Sequence, residues 1–285
     1  MKKLIIFFTF FIFVATTASA MVILDNTTLK AGPRIKINAI GYYDFPPIGF
    51  LEGKEYKTVI SPLIEAIENI NAFNTDYTAY PDHSKNIEAM NKADFFIGCY
   101  PKTYDYRNMY IVYPAIFTMP ISIMTLPDKK ISKISDLKTL KAGFSNNEPF
   151  PDFIKDNIKD YKAKEFNNYT EMFKALFAGE IDFIFSNYYY GLVQIAEHGL
   201  GNEISFSKKG IWDSPLFICL NKESHRSRRL LNAFNMFLED EEIKEKIKQN
   251  LIDTINEIKI KNRGVSAPAF IERDKDNGKT NSSSH

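Results

Sequence analysis

Seven tyrosines, Tyr42, Tyr43, Tyr100, Tyr104 and the run Tyr188, Tyr189 and Tyr190, fall in segments that read as loops or helix starts. A tyrosine pairs a broad apolar face with a polar tip, which suits the recognition of rings or of aliphatic molecules carrying a few hydroxyls. The chain also holds 24 phenylalanines and 15 tyrosines in 285 residues, so aromatic type alone does not mark any one of them as a contact. Groups for acid–base or covalent chemistry are not arranged for it. His83, His198, His225 and His285 have no serine, cysteine or glutamate partner at a catalytic spacing and read as surface residues, and GxSxG, HExxH and P-loop patterns are missing. Cys99 and Cys219 form neither a CxxC pair nor a metal-spaced cluster with histidine. The chemistry on offer is that of holding a molecule rather than converting one. No enzymatic activity, cofactor or metal is expected.

The elements that must position these residues alternate between strand and helix. Residues 34–41 (RIKINAIG) alternate as a strand does, and the loop YYDFPPIGF follows, its two prolines arguing against regular structure. Val59, Ile60, Leu63, Ile64 and Ile67 then recur at helical spacing, with Pro62 tolerated in the first turn. A strand over 75–79, a short helix over 85–91 and a strand over 94–98 (DFFIG) complete a β-α-β-α-β series, which implies a parallel sheet covered by helices.

Residues 124–145 read as strand, polar turn, a helical turn at Ser135, Asp136 and Leu137, and a second strand opening at Ala142. The plan then repeats: a helix over 151–158, a strand over 163–166, a helix opened by Asn168 with Glu171 at the capping-box offset and closed by Gly179, a strand over 181–186, and an aromatic helix from Tyr188. Two copies of one α/β plan argue for two lobes. An apolar strand over 216–220 and the amphipathic set Leu230, Leu231, Phe234, Phe237 and Leu238 return the chain to the first lobe. Beyond about Asp253 the sequence turns polar, and residues 273–285 have the composition of a disordered tail.

The amino terminus sets the compartment. Lys2 and Lys3 precede an apolar run from Leu4 to Val14 and an Ala18-Ser19-Ala20 site, so residues 1–20 read as a cleaved signal peptide too short for a membrane span. Cleavage leaves about 265 residues, enough for two modest cores, and moves the formal charge from +1 to −1. Charges of both signs are intermixed without a basic block, which excludes nucleic acid as a natural partner. Both cysteines lie in apolar, strand-like runs. Buried free thiols are the reading that composition favours, and a disulfide stays open until a Cα separation is known.

The loop FPPIGF, the segment DFFIG, Arg107 before VYPAIF, the IxxIxDLK element at Ile131 to Lys138, and AGEIDFIFSN together resemble the family 3 extracellular solute-binding proteins, over roughly Arg34 to Asn250. The resemblance implies a type II periplasmic-binding-protein fold, two α/β lobes joined by two crossover strands. Lobe one would comprise 33–118 plus 213–253, and lobe two 119–212. It also implies a monomeric periplasmic protein that captures a small polar solute, an amino acid or related metabolite, and delivers it to an inner-membrane ABC permease.

Position by position, the resemblance implies that Arg107 clamps a ligand carboxylate, a task suited to a planar two-pronged donor. Phe45 would pack on the ligand, where the residues alone equally suggest a hydrophobic plug beneath a proline turn. Trp212 and Asp213 would fall at the second crossover, with hinge packing for Trp212. The chain also departs from the family. Tyr104 stands at its threonine position, Asn147 and Glu148 at its Gly-Thr pair, and Asn187 where an aspartate often meets the ligand ammonium. A neutral amide gives no charge compensation to a desolvated cation, so the resemblance carries the fold further than it carries amino-acid specificity. Ligand contacts are therefore expected from Arg107, Phe45, Asn187, Asn147, Glu148, Tyr43, Tyr100 and Tyr104. The same fold also serves dehydratases of cyclic amino-acid precursors, where Glu148 or Asp105 would be the acid, and extracytoplasmic sensory domains.

Overall fold

In a computed structural model of the chain, the described residues are 33–80, 83–99, 108–129, 131, 134–146 and 158–266. The expected signal peptide and polar tail, and all but Ile158 of the helix expected over 151–158, lie outside them.

The chain opens with β1 (Ile35–Ile40), followed by β2 (Asp44–Phe45), β3 (Gly49–Glu52) and β4 (Glu55–Thr58), which make a small antiparallel sheet. The loop expected around the two prolines is thus a hairpin. Pro46 and Pro47 occupy the turn, where a missing N–H costs nothing, and leave Asp44 and Phe45 free to pair with Phe50 and Gly49. Next come α1 (Ser61–Asn71), β5 (Phe73–Thr78), α2 (His83–Met90) and β6 (Phe95–Cys99). In α1, Pro62 sits in the first turn, and Leu63, Ile64 and Ile67 form the buried stripe.

A 17-residue strand, β7 (Met109–Thr125), leads through a 3-10 turn at Ile134–Lys138 to β8 (Lys141–Ser145). This is the strand, turn and strand expected over 124–145. Then follow β9 (Lys162–Phe166), α3 (Tyr169–Phe177), β10 (Phe183–Asn187), α4 (Tyr188–Glu197), β11 (Ser205–Phe206) and β12 (Trp212–Asn221). The cap of α3 forms as its sequence dictates. Asn168 Oδ1 accepts from Glu171 N at 2.9 Å, and Gly179 takes the left-handed φ of +70° beyond the helix end. Helices α5 (Ser227–Leu238) and α6 (Glu241–Lys261) close the chain.

The sequence turns polar near Asp253, but the helix does not stop there. Ile243, Ile247, Leu251 and Ile255 recur every four residues, so a single buried stripe carries α6 past that point among charged neighbours.

All strands outside the small sheet join one nine-stranded sheet in the order β5-β1-β6-β12-β7-β10-β8-β9, with β11 on β7. Strands β5, β1 and β6 are mutually parallel, and so are β10, β8 and β9. Between these blocks lie β12 and β7, antiparallel to each other and to the block each touches. The two blocks therefore run in opposite directions. Most buried apolar side chains form one large cluster, while Leu137, Ala142, Phe144, Ile158, Phe183 and Phe185 form a second within the β10–β8 block, against which Trp212 packs. Trp212 stacks on Phe185 at 5.1 Å and meets Tyr161 edge-on, in line with a packing role.

Cys99 and Cys219 are fully buried and joined in a disulfide with Cα atoms 6.0 Å apart, not held as the free thiols that composition favours. Strand pairing decides this. Cys99 ends β6 opposite Phe217, two residues from Cys219 on β12, which brings the sulfurs together from positions 120 residues apart in sequence.

Candidate functional site

The register of β7 and β12 fixes where the ends of the two parallel blocks meet. At the carboxyl end of β6, Cys99 lies opposite Phe217 of β12. At the carboxyl end of β10, Asn187 lies opposite Ile121 of β7, which in turn lies opposite Trp212 of β12. The carboxyl ends of two oppositely directed parallel blocks thus converge on the stretch of β12 from Trp212 to Phe217. Open α/β sheets bind ligands at such a switch point, outside the carboxyl ends of their strands.

Aromatic rings from both blocks fill the approach to this point. After β1, Tyr42 turns back over β6, and its hydroxyl donates to the carbonyl of Gly98 at 2.5 Å. Gly98 is required there twice over, by its φ of +95° and because a Cβ would lie 2.4 Å from the Tyr42 ring. Tyr42 meets Phe45 edge-on at 5.1 Å, Phe45 meets Tyr190 at 5.2 Å, and Tyr190 meets Tyr169 at 5.6 Å. The row runs from the β2 hairpin into α4 and α3 without a break. Edge-to-face pairs of this kind contribute about 0.5–1.5 kcal/mol each beyond the area they bury.

Polar groups lie beside the rings. Asn187 is fully buried and caps α4, its Oδ1 accepting from Tyr189 N at 3.0 Å and Tyr190 N at 3.3 Å. The Tyr169 and Ser186 hydroxyls are 2.5 Å apart, and Ser186 also donates to the carbonyl of Asn187 at 3.0 Å. Ser122 lies opposite Ser186 on β7, and Ser214 opposite Met119 on β12. Both are fully buried, and neither hydroxyl has a hydrogen-bond partner among the described residues. Burial pushes the phenols of Tyr188 and Tyr189 up, Tyr189 further through the neighbouring Tyr188. At neutral pH both remain protonated, able to donate a hydrogen bond.

Of the residues singled out in the sequence, Phe45 is wholly enclosed between Tyr42 and Tyr190. Asn187 stands at the switch point as a helix cap, and Tyr43 is 41% exposed on the hairpin. Tyr100, Tyr104, Arg107, Asn147 and Glu148 lie outside the described residues. Asp105 does too. His198, read as a surface residue, is half-buried, with ring nitrogens against Gln194 O at 2.8 Å and Thr170 Oγ1 at 3.0 Å. Sequence reasoning missed Ser122 and Ser214. Their signal was partial: Ser122 is a lone hydroxyl inside the apolar run PISIM, and Ser214 precedes the apolar run PLFICL.

The model of a family described as NMT1/THI5 like matches residues 108–239. No curated protein sequence matches the chain. Among solved structures, the second substrate-binding domain of a putative amino acid ABC transporter from Streptococcus pneumoniae is 19% identical, with a TM-score of 0.56 over 77% of this chain and 99% of that one. A histidine kinase sensor domain with similarity to periplasmic binding proteins is 17% identical, with a TM-score of 0.58 over 83% of this chain and 99% of that one. The GluR0 ligand-binding core in complex with L-glutamate is 15% identical, with a TM-score of 0.60 over 77% and 100%. The fold is that of the periplasmic binding proteins. Fold is also the level at which these likenesses agree with the family 3 motifs, since the matching family model carries a different description. Among the described residues no helix is long and apolar enough to cross a membrane, and no group of histidine, cysteine, aspartate or glutamate side chains could hold a metal ion.

Proposed function

We propose that the chain is an extracytoplasmic solute-binding protein that captures a small polar molecule between two lobes, 33–118 plus 213–253 and 119–212, and presents it to an inner-membrane ABC permease. The observation that carries this reading is the convergence of both parallel blocks, carboxyl ends inward, on the middle of the crossover pair. Several of the similar structures are substrate-binding proteins or domains of amino acid ABC transporters, which supports it. The disulfide agrees with the oxidising compartment that the signal peptide implies.

In this reading Tyr43 meets the solute from the hairpin, while Phe45 and Asn187, both fully buried, hold the hairpin and the start of α4 in place behind it. Arg107, Tyr100, Tyr104, Asn147 and Glu148 complete the contacts from the segments after β6 and β8. The solute is an amino acid or a related metabolite, and the protein binds it without chemical change. Isothermal titration of the chain against amino acids and small polar metabolites tests the proposal. A saturable heat with a dissociation constant below about 100 μM is expected, and silence across the panel at millimolar concentration contradicts it.

The likeness to a histidine kinase sensor domain, which extends over 83% of this chain, supports a second reading, a sensory binding protein acting through a partner. Both readings require solute binding. They separate on whether the closed form associates with a permease or with a receptor ectodomain.

A further inference from the structure

Helix α6 lies against helices of both parallel blocks. It packs on α1, which itself packs on β5 of the first block, and on α4, which packs on β10 of the second. Its buried stripe of Ile243, Ile247, Leu251 and Ile255 belongs to the same apolar cluster as Leu63 and Ile64 of α1 and Tyr190 and Ile195 of α4. Toward the first block the fit is also polar. Asn250 Nδ2 faces the carbonyls of Thr58 at 3.2 Å and Val59 at 3.1 Å, and Ser61 Oγ at 3.1 Å.

Toward the second block, backbone meets backbone. Gly199, just past the end of α4, has a φ of +66°, and a Cβ there would lie 2.4 Å from the carbonyl oxygen of Val265 and 3.0 Å from its carbonyl carbon. Val265 stands in the turn that follows α6, where Arg263 N donates to Ile260 O at 3.1 Å and Val265 N to Asn262 O at 3.2 Å. Glycine is thus required at 199 by its own conformation and by its neighbour. Gly179, past the end of α3, has nearly the same φ of +70°, but nothing among the described residues lies within 4 Å of a Cβ there.

We propose that α6 and the turn over 262–265 form a strap that holds α4 of the second block onto the first, so that the two blocks part only when this turn leaves Gly199. The start of α4 is held to the first block as well, by Tyr190 against Phe45 at 5.2 Å. Apolar burial and close backbone approach at one end and a ring pair at the other fasten the helix at both. In the solute-binding reading, on which this consequence alone rests, solute reaches the switch point after the strap releases.

Amide hydrogen–deuterium exchange of the solute-free chain tests the strap by comparing Gly199→Ala with Gly179→Ala. Both substitutions place alanine at a left-handed φ, and only the first drives a methyl into the chain after α6. Gly199→Ala is expected to exchange about tenfold faster than Gly179→Ala in 188–197, in 255–261 and at the converging strand ends over 212–217. Asparagine at the same two positions, which tolerates this backbone better, should repeat the difference where alanine prevents folding. Equal exchange in the paired variants, or faster exchange confined to 199–204 and 262–266, would overturn the proposal. So would faster exchange in α4 with 212–217 unchanged, because the helix would then fray without parting the blocks. No solute enters the measurement, which keeps its failure distinct from a failure to bind solute.

Discussion

The two ends of β6 are built on opposite principles. At its amino end, Asp94 is 4% exposed and fully engaged: one carboxylate oxygen accepts from Asn38 N at 2.9 Å, and the other from Ser224 Oγ at 2.5 Å and Arg226 Nη1 at 3.2 Å. Asn221, close by, donates to the carbonyls of Asn91 and Ala93 at 3.0 Å each. At the carboxyl end, beyond the disulfide, β12 runs on along β7, where the buried hydroxyls of Ser122 and Ser214 have no partner among the described residues. One end satisfies its polar groups internally and holds the fold. The other leaves two buried hydroxyls without a partner among the described residues, a cost of the kind that folds carry at functional sites.

The largest effect should come from the covalent tie between β6 and β12. Replacing Cys99 and Cys219 together by alanine is expected to lower stability by about 4–5 kcal/mol, read from urea unfolding with the oxidised wild type as reference, because the bridge closes a very long loop in the unfolded chain. Next is the satisfied corner. Asp94→Ala leaves a half-buried guanidinium and a backbone N–H without their acceptor, and a loss of about 3–5 kcal/mol follows. The smallest effect belongs to the unsatisfied end, where Ser122→Ala and Ser214→Ala each remove a hydroxyl that has no partner among the described residues. Their stability should stay level or rise by up to about 1 kcal/mol. A loss at Ser214 comparable to that at Asp94 would break the contrast between the two ends.

Much of this frame was legible in the residues. The parallel blocks showed in apolar runs such as DFFIG and IDFIFSN, and the cap of α3 in Asn168 and Glu171, because strand burial and capping are local signals. The pairing of Cys99 with Cys219 was not, since it depends on β6 and β12 becoming neighbours across 120 residues. The 17-residue β7 was hidden by Pro114 and Pro120, which lie within a strand that reads locally as two pieces. Helix α6 was missed because a one-residue-per-turn stripe is faint among so many charges.

At the site the limits were similar. Phe45 could be read as a ligand platform or as a plug from the FPPIGF loop alone. Only the positions of Tyr42 and Tyr190 show that two rings enclose it. Asn187, read through its departure from an acidic family position, also has the purely local task of capping α4, which its place before the tyrosine run makes plain in retrospect.

The central claim is that solute binds at the switch point of the sheet. Hydrogen–deuterium exchange with and without the solute identified by titration tests it most directly. Protection should appear in 41–45, 119–122, 186–190 and 212–217, at the converging strand ends, and leave the outer strands β5 and β9 unchanged. Protection confined to the outer strands, with the converging ends unaffected, would contradict it.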